Sequence, residues 1–402
     1  MSWHDVVGPA LLLLSTVAIV PAALLLLQTV AAAWRGDAWI ASQAVPARAG
    51  TLAVVMPAHD EAAGIEPAIR AVLAQLAPGD RLLVVADNCS DATAAVARAA
   101  GAEVVERHDS LRRGKGYALD HGVRWLERAP PAAVVILDAD CIAAPGALQR
   151  LAATALQAGR PVQGLDLMHA PAGARLELRI SAFAMVVKNK LRPLGGAVLG
   201  WPCQLMGTGM AFPWPMLRDA PLASGNLVED MQLGLDLARR GAAPLFCPEA
   251  AVSSVFPTDR AAACSQRTRW EHGHLATLVG AGPRLLALGV VRFRPRLVAM
   301  ALDLMVPPLA ALVLLLGALG VAGAAWWLWA GNPAPFAVAA SALAFVAAAV
   351  TIAWRREGRA LLGMRELLGL PLYVAAKLPM YLRLLGKRQV EWVRTKRDDA
   401  GR

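Results

Sequence analysis

The chain has 402 residues, a net charge of +10 and 57% hydrophobic residues, long enough for one large domain or two and too apolar for an ordinary soluble enzyme. Its basic residues lack an aromatic-interleaved patch, which argues against nucleic acid as a partner and fits an anionic membrane surface. Cys89, Cys141, Cys203, Cys247 and Cys264 show no C-x-x-C spacing, so no zinc site is expected, and a cytoplasmic domain would keep these thiols reduced.

In chain order, Val6 to Trp34 comes first: it contains no charged residue and is long enough to cross a bilayer. No Lys or Arg precedes it and it exceeds a signal-peptide core, so residues 1–40 read as an uncleaved anchor. Residues 41–275 have mixed polarity and read as a catalytic domain. Residues 276–296, apolar around Pro283 and Arg284, read as an interfacial segment. Two apolar runs, Leu297 to Ala330 and Phe336 to Trp354, joined by a short Gly-Asn-Pro-Ala-Pro link, read as a transmembrane hairpin over 297–355. Residues 356–402 read as an interfacial helix and a basic tail. Arg35, Arg292, Arg294, Arg296, Arg355, Arg356 and Arg359 all flank the same side of the three spans. The positive-inside rule then puts the catalytic domain and C-terminus in the cytoplasm of a cell whose inner membrane holds the chain, with the N-terminus outside.

Inside the catalytic domain, apolar runs ending in polar residues alternate with helical stretches. A strand ends at Pro57, a helix covers Gly64 to Gln75, and a second strand run, Arg81 to Asp91, also finishes in acids. A helix then covers Ala92 to Ala100, a strand lies near Val104 and Val105, and another helix surrounds Tyr117 to Leu126. Val134 to Cys141, Val-Val-Ile-Leu-Asp-Ala-Asp-Cys, is the next buried strand. The pattern predicts an α/β fold with a mostly parallel sheet and a nucleotide-sized crevice at the strand C-termini. Asp138 and Asp140, one residue apart, can face one cation; a solvated turn is the plainer reading of two loop acids. No GxGxxG or P-loop pattern follows the first strand, which weakens dehydrogenase and NTPase readings.

Six motifs occur in an order that resembles family 2 glycosyltransferases: Pro-Ala-His-Asp-Glu (Pro57 to Glu61), Asp-Asn-Cys-Ser-Asp (Asp87 to Asp91), Arg-Gly-Lys-Gly-Tyr-Ala (Arg113 to Ala118), Asp138-Ala-Asp140, Glu229-Asp230, and Gln-Arg-Thr-Arg-Trp (Gln266 to Trp270). The last is the Q-x-x-R-W signature of membrane members such as cellulose, hyaluronan and poly-N-acetylglucosamine synthases and ceramide glucosyltransferase. The resemblance implies a GT-A-like nucleotide-sugar-binding domain. It implies that Pro57, His59 and Glu61 line the nucleotide pocket, that Asp87 hydrogen-bonds the base, and that Lys115 lies near the diphosphate. Asp138 and Asp140 would position the donor and a Mg²⁺ or Mn²⁺ ion, Asp140 as the more direct ligand. Asp230, beside Glu229, would be the general base. Gln266, Arg269 and Trp270 would complete the site, Arg269 on the diphosphate and Trp270 by the acceptor; Gly207 and Gly209 resemble the acceptor-side loop. Ala86 stands where relatives carry a first acid, which leaves GDP or dTDP open beside the family's usual UDP.

The chemistry asks for these residue types independently. A diphosphate leaving group needs its developing charge neutralised by a divalent cation and a guanidinium, and hard cations prefer carboxylate oxygens. An attacking hydroxyl needs a base opposite the leaving group, a role worth about 10²–10⁴-fold. The expectation is an inverting transferase that draws a nucleotide sugar from the cytoplasm and glycosylates a membrane-embedded lipid-linked or polysaccharide acceptor in bacterial surface polysaccharide or glycolipid synthesis. A processive synthase that secretes its product is the alternative, with an oligomer or export partner supplying further helices. A non-catalytic sugar-nucleotide-binding scaffold is the alternative of another class. Asp303 either faces the acceptor path or lies harmlessly below the membrane.

Overall fold

A computed structural model describes residues 3–44, 47–226 and 228–381, which form two compact units. The basic tail expected after residue 381 lies outside the described residues. One unit gathers residues 38–174 and 202–273, the other residues 3–37, 175–201 and 274–381.

The first unit is built on an eight-stranded sheet: β1 (Leu52–Ala58), β2 (Arg81–Asp87), β3 (Glu103–Arg107), β4 (Ala133–Ile136), β5 (Ile142–Ala143), β6 (Val162–His169), β7 (Met210–Pro213) and β8 (Leu245–Val255). Its spatial order is β3-β2-β1-β4-β7-β6-β8-β5. β1 pairs in parallel with β2 and β4, β2 with β3, and β6 with β8, whereas β7 runs antiparallel between β4 and β6. The run Leu52 to Met56 is buried throughout because both faces of β1 are covered, the condition under which a strand loses its polar alternation. Leu52, Val54 and Met56 pack toward Ile65, Ile69, Leu148 and Leu151. Ala53, Val55, Leu83 and Val85 pack on the other face toward Leu119, Val123, Leu126 and Leu233. Each fully buried Leu or Ile contributes on the order of 1.5–3 kcal/mol, so the sheet is held from both sides. The parallel strands end along one edge, and the loops after β1, β2 and β4 gather there.

The second unit is helical. Among the described residues, four helices are long and apolar enough to cross a membrane: Asp5–Ser42, Arg260–Val291, Leu309–Ala330 and Ala334–Gly358. Three such segments are expected from the sequence; the fourth arises because Arg260–Val291 continues without a break through Pro283. The chain leaves the sheet after β6 and contributes residues 175–201 to this helical unit. They carry a π-helical stretch, Val186–Leu191, followed by the helix Arg192–Val198. Buried Gln28 and Arg192 both bind Asp303: Gln28 Nε2 donates to its carboxylate at 2.8 Å, and Arg192 donates to the carboxylate at 2.9 Å and to the main-chain carbonyl at 2.8 Å. A charge in an apolar unit is tolerated only with such partners. At Gly195 the helix Arg192–Val198 meets the Gln28 carbonyl so closely that no side chain fits.

Candidate active site

The Asp138 turn starts where β4 stops. Leu137 N–H still donates to the Val55 carbonyl at 3.1 Å, the last rung of the ladder, and Cys141 N–H closes a turn on the Asp138 carbonyl at 3.0 Å. Between these bonds Asp138 and Asp140 are half-buried at the sheet edge. The Asp138 N–H donates to the buried Thr208 hydroxyl at 3.0 Å. Asp138, Asp140 and Cys141 hold their donor atoms within 4.8 Å of one another. Burial and the neighbouring Asp140 and Asp138 charges push the Cys141 thiol well above its ordinary pKa, so it stays protonated and donates to the Asp140 carboxylate at 3.4 Å.

Lys115 begins the helix Lys115–Leu126 and reaches back over this turn. Its ammonium lies 2.5 Å from the Asp138 carboxylate and donates to the Gly207 carbonyl at 2.8 Å. Burial works against the charge, yet Asp138, Glu229 and Asp230 outweigh it and hold the Lys115 pKa above the ordinary lysine value. Gly207 has a φ of 94°, the left-handed region that glycine adopts without strain. A Cβ there would stand 3.3 Å from the Asp230 carboxylate and 3.6 Å from the Lys115 nitrogen, so the bare backbone is what lets these groups converge. Gly209, φ 63°, faces Val252 at 2.9 Å from such a Cβ.

Glu229 and Asp230 open the helix Glu229–Arg239, where the N-terminal dipole favours acids. Burial, with the Asp230 charge adding to it and Lys115 opposing, pushes the Glu229 carboxyl up to about 7. Both line a cavity of about 260 Å³ beside Leu222, Ser224, Asn226 and Leu233. Gln266, Arg269 and Trp270 are half-buried on the helix Arg260–Val291, whose Gly273 packs against Val228 too tightly for a methyl group. That contact ties the Q-x-x-R-W helix to the residue before Glu229. The Gln266 Oε1 is buried with no hydrogen-bond partner among the described residues.

The loops after β1 and β2 form a second cluster. His59 Nδ1 lies 2.7 Å from the Asp87 carbonyl, and Asp60 accepts from the Ser90 N–H at 2.6 Å and the Asp91 N–H at 3.2 Å. Glu61 N–H donates to Thr93 Oγ1 at 2.7 Å. Asp91 accepts from Ala62 N–H at 3.1 Å and Thr93 N–H at 2.9 Å. Burial acts against its charge, but the Thr93 hydroxyl and these main-chain donors prevail and lower its pKa. Asp60, Cys89 and Asp91 also gather donor atoms within 4.8 Å, but their carboxylates are occupied in holding the two loops together. The buried Asp87 carboxylate is paired with Arg107 at 2.6 Å, and the same guanidinium lies 5.6 Å from the Tyr117 ring centre.

The structure therefore joins Lys115, Asp138, Gly207 and Asp230 in one place and His59, Glu61 and Asp87 in another. Sequence reasoning missed Arg107, Thr208 and Gln163. Arg107 ends β3, one strand over from Asp87 and in register with it, and strand-end charge at the crevice is the signal that points to it.

Residues 48–273 match the family model described as glycosyltransferase like family 2, more than half of the chain. No curated protein matches the sequence. Among solved structures, the mannosyltransferase PcManGT from Pyrobaculum calidifontis, in complex with GDP-Man and Mn²⁺, is 19% identical at a TM-score of 0.51, covering 86% of this chain and 99% of that one. That likeness shows a shared GT-A-like fold. Glucosyl-3-phosphoglycerate synthase from Mycobacterium tuberculosis, in complex with Mn²⁺, UDP and glucosyl-3-phosphoglycerate, is 27% identical at a TM-score of 0.36, over 55% of this chain and 74% of that one. On the family match, the chain belongs to the family-2-like glycosyltransferases and is an enzyme of that group.

Proposed function

We propose that the protein is a membrane-anchored, inverting glycosyltransferase that moves a sugar from a cytoplasmic nucleotide sugar to a lipid-linked or polysaccharide acceptor held at the bilayer, in the making of surface polysaccharide or glycolipid. The observation that carries this reading is the Lys115 cluster: one ammonium spans Asp138 and the Gly207 carbonyl, and the Asp230 carboxylate converges with it beside the bare Gly207 backbone. A cation for the diphosphate and a carboxylate for the acceptor are thus brought together by one bare backbone segment.

Asp138 and Asp140 would hold a divalent cation, because two half-buried carboxylates with clustered oxygens suit a hard ion such as Mg²⁺ or Mn²⁺. When bound, that ion supplies neutralisation of the diphosphate charge. Lys115 and Arg269 add fixed positive charge on the same leaving group. His59, Glu61 and the Pro57 loop line the nucleotide, with Asp87, held by Arg107, presenting its carboxylate edge to the base. Asp230 takes the proton from the acceptor hydroxyl as its oxygen attacks the anomeric carbon and the nucleoside diphosphate departs from the opposite face. Direct displacement inverts the anomeric centre. The orphan Gln266 oxygen accepts a hydroxyl from the acceptor, and Trp270 lies along its ring.

The four apolar helices support membrane association. Arg35, Arg355, Arg356 and Arg359 support a catalytic unit on the cytoplasmic side with the N-terminus outside, and Arg284 in mid-helix favours an interfacial course for Arg260–Val291. The test is nucleotide release by the protein in detergent with a native lipid extract, across UDP-, GDP- and dTDP-sugars with Mg²⁺ or Mn²⁺. Metal-dependent release from one donor, abolished by Asp140→Ala and Asp230→Asn, is expected. Release that survives both substitutions overturns the assignment.

A further inference from the structure

Strand β6 carries a glutamine at full burial. Gln163 is 0% exposed on a sheet strand whose neighbours Val162 and Leu165 are core residues. An amide is retained at that depth only where its polar atoms are satisfied, and two of its three bonds lead to the same short stretch. Its Nε2 donates to the main-chain carbonyls of Thr208 and Gly164, both at 2.9 Å. Its Oε1 accepts the Met206 N–H at 2.8 Å. Pairing of β6 with β7 ends at Gln163 and Met210, and one further main-chain bond joins Gly164 N–H to the Gly209 carbonyl at 2.8 Å. Before that point the side-chain amide replaces the ladder and fixes residues 206–208.

That short stretch holds two of the groups at the candidate site. The Gly207 carbonyl takes the Lys115 ammonium, and the Thr208 hydroxyl takes the Asp138 N–H. We propose that Gln163 is a positioning residue for the donor diphosphate site, acting through residues 206–208 to set Lys115 and Asp138; this rests on the diphosphate role given to those two residues above. Gln163 itself touches neither substrate nor metal. Without the amide, Met206 N–H and Thr208 C=O lose their partners, the loop gains freedom, and the Lys115 nitrogen loses its fixed anchor.

The chemistry of the amide makes the proposal testable. Gln163→Met keeps the volume and removes the clamp. Gln163→Glu keeps an acceptor for Met206 but turns its second oxygen toward two carbonyls, an arrangement restored only when that oxygen carries a proton. The experiment is calorimetric titration of the protein in detergent with UDP, GDP and dTDP, each with Mg²⁺, for the parent, Gln163→Met, Lys115→Met and the double variant, beside thermal unfolding. Gln163→Met is expected to weaken nucleotide binding about tenfold, and most of that loss is expected to vanish in the Lys115→Met background. Gln163→Glu is expected to bind near the parent's strength at acidic pH and to fall toward Gln163→Met as pH rises. Parent-like binding by a folded Gln163→Met protein, or losses that multiply in the double variant, overturns the proposal. Should Gln163→Met fail to fold, a Gln163→Glu protein whose binding relative to the parent is flat across pH overturns it equally. A parent that binds none of the three nucleotides overturns the proposed function, and this inference with it.

Discussion

Lys115 concentrates the electrostatics of the candidate site in one ammonium, and the acids around it divide into two kinds. Asp138 touches it, whereas Glu229, half-buried in the same field of charge, has its pKa pushed up to about 7. A carboxyl raised in the folded state binds a proton there that the unfolded chain releases above its ordinary value of 4.5. Stability therefore falls as pH rises from about 4.5 to about 7 and is flat beyond both limits, by up to about 3 kcal/mol for a shift of this size. Glu229→Gln is expected to remove that slope, read as the pH dependence of the thermal midpoint in detergent; an unchanged slope places the titration elsewhere. Asp230→Asn keeps size and loses basicity. Its kcat is expected to fall about 10²–10⁴-fold with the unfolding midpoint nearly unchanged and nucleotide binding retained. A drop confined to nucleotide affinity would move the base role off Asp230.

At the scale of elements, legibility followed burial. β1, β2 and β4 stand where contiguous apolar runs end in polar residues, because strands covered on both faces leave that signature. The other half of the sheet was hidden. β7 is four residues long, and β8, which carries Pro248 and Glu249, pairs with β6 across a register shift at Gly164 and Leu165. The motif residues Lys115, Asp138 and Asp230 were readable as chemistry, but Gln163 and Thr208 were not, since their importance lies in which backbone atoms they hold. The stretch 175–201 was unreadable for another reason: Lys188, Lys190 and Arg192 look like a solvated helix face, while Lys190 in fact pairs with Glu357 at 2.8 Å and Arg192 with Asp303. The close approach at Gly195 makes its own prediction. Gly195→Val is expected to lower the stability of the helical unit by about 1–3 kcal/mol through forced separation of two backbones, seen as a lower unfolding midpoint. A neutral effect would show that this contact relaxes freely.

For the molecule as a whole, the proposed orientation is accessible to labelling. A cysteine placed at Asn332, in the link between Leu309–Ala330 and Ala334–Ala353, is expected to react with a membrane-impermeant maleimide in intact cells, whereas one at Asp219 is expected to react only after the cells are opened. The reverse pattern inverts the topology. The helical unit is also assembled from distant parts of the chain, with Gln28 bonded to Asp303 across 275 positions. At roughly 5–20 residues per second of synthesis, on the order of fifteen seconds to a minute separates the emergence of the two. On the proposed reading as a membrane anchor, the first helix waits in the bilayer through that interval with an amide whose Asp303 partner has not yet been made. Nascent chains arrested before residue 303 should thus be the form that a membrane quality-control protease removes fastest, and Gln28→Leu should spare them.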